Sequence, residues 1–280
     1  VAATAMGIDA GDGVNTLRND GKILASADAR ARTQAESNTT FSATTKTCSD
    51  PATSATATGI AGGSGDDTVR TGSASLTSAT ADADSVAIST AEEEAYSYAG
   101  STARAYGVEA GAGLNLVENG GTVVAASTAT GSVDAYADSN FTTNLADASL
   151  TLVADATGIR SGSGVDRLTN LAGASIEASA TAAGGEPPDH GNARADEAAD
   201  FTGTATANAF GIDSGDGANL VANLGGIAAD ATTAISVKTT ASSTTAYAVS
   251  DSDSIGTATA IGVRTGAGND DVTNGVERAD

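Results

Sequence analysis

A glycine-rich motif, G-(I/V)-x-x-G-x-G-x-(N/D)-x-(L/V), begins at Gly7, Gly59, Gly107, Gly158, Gly211 and Gly262, at intervals of 52, 48, 51, 53 and 51 residues. Six copies at near-constant spacing make this a repeat protein, and a chain of such units folds by stacking each unit on the next. No other feature constrains the fold as strongly.

Between the motifs the chain alternates with period two, the mark of strands with one face turned inward. From Leu17 every second residue reads Leu17, Asn19, Gly21, Ile23, Ala25, Ala27 and Ala29, while Arg18, Asp20, Lys22, Asp28 and Arg30 occupy the other face. About twenty residues on, the segments at Ser37–Phe41, Ser139–Asn144 and Ala199–Gly203 read as a second turn. A return strand then ends in A-x-A-x-G-(I/V), as at Ala55, Ala57 and Gly59. Two long arms and two turns per repeat predict an all-β, right-handed parallel β-solenoid. It has about six coil repeats of ~51 residues in one array over residues 1–280. Bends could divide one repeat into more than one coil. The segment Thr181–Asp200, with two of the three prolines and the only histidine, His190, reads as a loop insertion leaving the stack.

Composition fixes what kind of stack this is. Of the residues 40% are hydrophobic, but only 3% are aromatic, and alanine dominates. Buried alanine removes little apolar area, so stability must come from backbone hydrogen bonds and the close approach of small side chains. With 35 acidic against 13 basic residues and a formal charge of -22, nucleic acid and anionic membranes are disfavoured partners. One cysteine, Cys48, permits no internal disulfide. No apolar stretch approaches the ~20 residues of a membrane-spanning helix.

The repeats alternate. Odd copies carry Asn15, Asn115 and Asn219 where even copies carry Asp67, Asp166 and Asp270, so the full unit is a pair of ~102 residues. Two positions after the leading glycine stand Asp9, Ala61, Glu109, Arg160, Asp213 and Arg264. In-register stacking would align Glu109, Arg160, Asp213 and Arg264 as a column of alternating charge that sets register more than stability.

The acidic turns are candidates for cation binding. Asp66, Asp67, Asp166, Asp216, Asp270 and Asp271 offer the hard oxygen ligands that calcium prefers. The competing reading is that glycine supplies the turn and Asn or Asp caps it in a stacked ladder. No cofactor is required by either reading; Ca2+ is an addition that the second tests against. No lysine follows the glycines as a phosphate loop requires. The run Glu92, Glu93 and Glu94 has the carboxylates of a glycosidase but no aromatic platform beside it, and the chain is expected not to be an enzyme. Asn38 and Asn140 begin N-x-T sequons and are candidate glycosylation sites.

The stretches GDGVNTLRNDGKILASA and GAGLNLVENGGTVVAAS resemble the β-solenoid repeat regions of large secreted or surface-displayed bacterial proteins, such as autotransporter and haemagglutinin-like adhesins. GGSGDDTV at Gly62–Val69 is similar to the calcium-binding nonapeptide of RTX-type secreted proteins. The resemblance implies an extracellular or cell-surface location and adhesive or structural work. The chain opens within a return arm and closes just past the sixth motif. The expected partners are therefore flanking repeats of a longer array or a second copy stacked head to tail. The expected function is a fibre or surface stalk; a calcium-binding adhesin module is the alternative.

Overall fold

The structure, a computed structural model, describes residues 1–37, 46–137, 144–184, 191–195, 198–241 and 248–275, and these contain strands and no helix. Three parallel sheets account for them. The first gathers the return arms Ala2–Asp9, Ala52–Ala61, Glu94–Glu109, Leu145–Arg160, Ala198–Asp213 and Val249–Arg264, with Lys46–Ser49 also paired to Glu94–Glu109. The second gathers six four-residue strands, Thr16–Asn19, Thr68–Thr71, Leu116–Asn119, Arg167–Asn170, Leu220–Asn223 and Asp271–Asn274. The third gathers the outgoing arms, including Lys22–Glu36, Leu76–Ala91, Thr122–Ala137, Ser175–Gly184 and Gly226–Ile235.

Register follows the sequence repeat. Ala3 pairs with Ala55, Ala55 with Ala103, Ala103 with Ala154, Ala154 with Ala207 and Ala207 with Ala258. Each row thus bonds to the row one repeat later, an arrangement consistent with a parallel β-solenoid. The longest arms hold 16 residues, about 50 Å of extended chain.

Two cores result from the alternation. Along the arms, alanine rows of the first and third sheets bury one another, among them Ala57, Ala81, Ala105, Ala129, Ala156 and Ala180. The blade is thin because its inward residues are small. Where a larger side chain enters, glycine faces it, as Gly131 and Gly184 face Leu150. At the glycine corner the chain thickens into a three-sided apolar column, with one β-branched or leucine side chain from each sheet per row: Val108, Val117 and Val123, then Ile159, Leu168 and Ile176.

That column explains the leading glycine. It does not have positive φ; instead a Cβ on Gly107 would overlap Val123 Cγ1 and lie 2.6 Å from the Gly158 carbonyl oxygen. The backbone of one sheet passes directly over the branched methyl of another, and hydrogen takes the only space left. Positive φ belongs to the G-x-G pair, with Gly111 at 90° and Gly113 at 139°.

Two expectations need correction. Ala199–Gly203 is not a turn but lies inside the strand Ala198–Asp213, where Phe201 is fully buried. Its Phe-Thr-Gly spelling continues the inward-outward alternation, and that pattern outweighs the turn-prone residues around it. Nor does all of 181–200 leave the stack. Thr181–Gly184 pairs with Thr128–Gly131, Ala193 pairs with Ala135, and Ala198 begins the next return arm; residues 185–190 and 196–197 lie outside the described residues. His190, Asn38 and Asn140 lie outside the described residues.

Gly107→Ala is expected to cost about 1–3 kcal/mol or to prevent folding, through overpacking at the corner. Gly100→Ala, where the nearest atom to an added Cβ is the Thr151 carbonyl oxygen at 4.0 Å, should leave the thermal midpoint nearly unchanged. Equal midpoints for the two variants would contradict this account.

Candidate functional site

Two ladders of polar side chains run through the stacked corner. The motif's Asn or Asp points inward, and the ladder it forms runs through every row. Asn15 N–H donates to Asp67 Oδ1 at 2.9 Å, Asp67 N–H to Asn115 Oδ1 at 3.1 Å and Asn115 N–H to Asp166 Oδ1 at 2.9 Å. Asp166 N–H then donates to Asn219 Oδ1 at 3.0 Å, and Asn219 N–H to Asp270 Oδ1 at 2.9 Å. The asparagines use their second group as well, since Asn115 Nδ2 donates to the Gly111 carbonyl of its own turn at 3.1 Å.

Aspartate cannot do this. With Oδ1 taken by the ladder, Oδ2 of Asp67 and of Asp166 is buried without a hydrogen-bond partner. Ser161 sits beside Asp166, but its hydroxyl donates to the Ser214 carbonyl at 2.7 Å. Burial pushes the Asp166 carboxyl above the ordinary carboxylate range, against the opposing pull of Asn115 and Ser161.

A second ladder closes the far end of the short strands. Thr71 Oγ1 donates to Asn119 Oδ1 at 2.5 Å, Asn119 Nδ2 to Asn170 Oδ1 at 2.8 Å, Asn170 Nδ2 to Asn223 Oδ1 at 2.8 Å, and Asn223 Nδ2 to Asn274 Oδ1 at 2.7 Å. Asn119 and Asn170 are fully buried. Asn119, Asn170 and Asn223 each give and receive, so their buried amides are satisfied along this line.

Outside the corner, Asp9, Ala61, Glu109, Arg160, Asp213 and Arg264 are paired row by row in that order. Arg160 approaches Glu109 at 3.7 Å, and Arg264 grips Asp213 with two nitrogens at 2.5 and 3.1 Å. The bond to Asp213 raises the Arg264 pKa further. Each arginine also covers the aromatic ring that precedes the leading glycine of the row before it. Arg160 lies 5.5 Å from the Tyr106 ring centre and Arg264 3.8 Å from that of Phe210. The reading of the sequence missed these rings; their place directly before Gly107 and Gly211 was the available signal. Met6 holds the equivalent place before Gly7, and Ala61 stands where its arginine would be. Glu109, Arg160, Asp213 and Arg264, with the glycine turns, line an open groove of about 600 Å³.

The six candidate calcium ligands do not gather. Asp67, Asp166 and Asp270 belong to the inner ladder. Outside it, Asp66 Oδ1 accepts from Leu114 N–H and Asp216 Oδ1 from Ala267 N–H, both at 2.9 Å. Asp271 is on the strand Asp271–Asn274. Among the described residues no group of three or more His, Cys, Asp or Glu side chains could hold a metal ion. Glu94 of the acidic run accepts from Tyr96 at 3.0 Å and lies 3.4 Å from Lys46 Nζ, which ties it into the sheet surface. No protein-family model, curated protein or solved structure matches this chain.

The raised Asp166 pKa means that the folded chain holds this proton more tightly than the unfolded chain does. That contribution to stability is complete below the ordinary carboxylate pKa and is lost as pH rises through the raised value. Asp166→Asn supplies the missing donor and removes the slope. In thermal unfolding between about pH 4 and pH 8, the variant's advantage over the parent should widen with pH; a pH-independent difference would contradict the assignment.

Proposed function

We propose that this chain is a right-handed parallel β-solenoid of about six coils whose work is mechanical. It is a non-enzymatic structural repeat protein of the extracellular space or cell surface, and it provides length and stiffness by adding row upon row. The observation that carries this reading is the continuous row-to-row bonding at the corner. Carboxylates, amides and guanidinium groups at the corner are spent on the neighbouring row, in two inner ladders and one outer column. A stack built this way gains from each added row and ends only where something caps it.

The edges support the same reading. Among the described residues Ala2–Asp9 pairs only with Ala52–Ala61, and Val249–Arg264 only with Ala198–Asp213. Each edge offers a row of unpaired backbone groups to a further row. The net charge of -22 keeps such a rod soluble.

A second reading, a calcium-binding adhesin module, is favoured by one observation, the buried and unpartnered Oδ2 of Asp67. Calcium takes six to eight oxygens, and at Asp67 one carboxylate oxygen already accepts a backbone N–H.

Negative-stain images and thermal unfolding, with and without a chelator, separate the two. The structural reading expects stiff rods and a midpoint indifferent to the chelator. It also expects Asp67→Asn to raise stability, by about 1–3 kcal/mol for relief of an unsatisfied buried group. Loss of order on chelation, or an Asp67→Asn variant that melts lower and no longer responds to calcium, would support the calcium reading instead.

A further inference from the structure

The two edges of the stack are complementary in the charged, amide and apolar columns of the corner. Ala258–Asn274 reads ATAIGVRTGAGNDDVTN and Ala3–Asn19 reads ATAMGIDAGDGVNTLRN. The two segments match position for position without insertion, and they differ in parity. Arg264 stands at the place of Asp9, and Asp270 at the place of Asn15. From this complementarity we infer that a second copy of the chain docks head to tail, its Ala3–Asn19 segment adding as the next row on Ala258–Asn274. The inference rests on the structural reading above and names its partner.

Each ladder ends with the group its continuation needs. Ladder bonds run from the N–H of one row to Oδ1 of the next, as from Asn219 to Asp270, which leaves Asp270 N–H to donate and Asn15 Oδ1 to accept. In the second ladder Asn274 Oδ1 accepts from Asn223, and its Nδ2 would meet Asn19 of the incoming copy as Asn223 Nδ2 meets Asn274. Among the described residues the apolar corner column is uncovered at both ends. Leu17 and Ile23 are half-buried at one edge and Val263 at the other, while Val272 is 44% exposed; a stacked copy covers all four.

Strand direction and charge set the polarity. Head to tail, Arg264 faces Asp9, the column of alternating sign continues and the strands stay parallel as in every other row. Docking of two like edges would need one copy turned over, which makes the strands antiparallel and takes the corner columns out of line. The net charge of -22 on each copy opposes approach, so assembly should strengthen as salt screens the long-range repulsion.

A charge-swap experiment tests this. Sedimentation velocity and electron microscopy of the whole chain, at about 0.15 M salt and above, should show end-to-end filaments in a concentration-dependent manner. Asp9→Arg sets arginine against Arg264 and should raise the concentration at which filaments appear by about tenfold. Arg264→Asp should do the same, and a mixture of the two variants should assemble like the parent, because each edge then meets its opposite. Should Arg264→Asp not fold, Asp9→Arg added to the parent still decides the matter, since it blocks one end and should shorten the filaments. A parent chain that stays monomeric at all concentrations overturns the inference, as does assembly unaffected by Asp9→Arg. A monomer that is nevertheless a stiff, chelator-indifferent rod leaves the structural reading standing and removes only the docking.

Discussion

Every feature of this molecule depends on one constraint: a residue must stack on its own counterpart about one repeat further along the chain, with neighbouring strands about 4.8 Å apart. At that spacing the same column position recurs before any side chain can escape its neighbour, so each column has to be made of residues that tolerate their own company. Alanine does so by being small. Asparagine does so because one amide both donates and accepts, and Asn119, Asn170 and Asn223 use both functions in the line that ends at Asn274. Charged residues at the outer corner do so by alternating, while on the exposed faces Arg18 stacks on Arg70 and Asp147, Asp200 and Asp251 share one column.

Alternation accounts for the two-repeat period. The third and fifth rows place a ring and an acid on the outer corner, Tyr106 with Glu109 and Phe210 with Asp213, and the fourth and sixth answer with Arg160 and Arg264. The inner ladder alternates at the same period, but there the cost falls on the even rows, where a carboxylate stands in for an amide. Asn115 satisfies its own turn through Nδ2 and Asp166 cannot, so burial raises its pKa. Identical rows throughout would relieve the inner ladder but would put like charges in contact outside. Each contact of this kind is weak at an exposed corner; its effect is to make one register preferable to the others.

Much of this was legible in the sequence, for a definite reason. Alanine is the best helix former, yet the strict alternation of Ala25, Ala27 and Ala29 with Ser26, Asp28 and Arg30 has a period that only a strand can bury on one face. The six motifs identified the rows, and their spacing identified which residues share a column. What escaped notice was set by tertiary contact. The leading glycine looks like a turn residue but is required by the methyl of Val123, which lies on another sheet. The segment Ala199–Gly203 has the spelling of a turn, and the burial of Phe201 against the opposite arm keeps it a strand. Tyr106 and Phe210 look like isolated aromatics until the register brings an arginine over each.

The register itself can be measured directly. Ser78, Val124 and Glu177 occupy one outward column of the third sheet in consecutive rows. With Cys48 replaced by serine, nitroxide labels at positions 78 and 177 should lie two strand spacings apart, about 10 Å between backbones, and show strong dipolar broadening at room temperature and in frozen solution. Labels separated by more than about 20 Å, or a broad spread of separations, would mean that rows one repeat apart are not neighbours, and the account of the fold, the ladders and the stacking would fall with them.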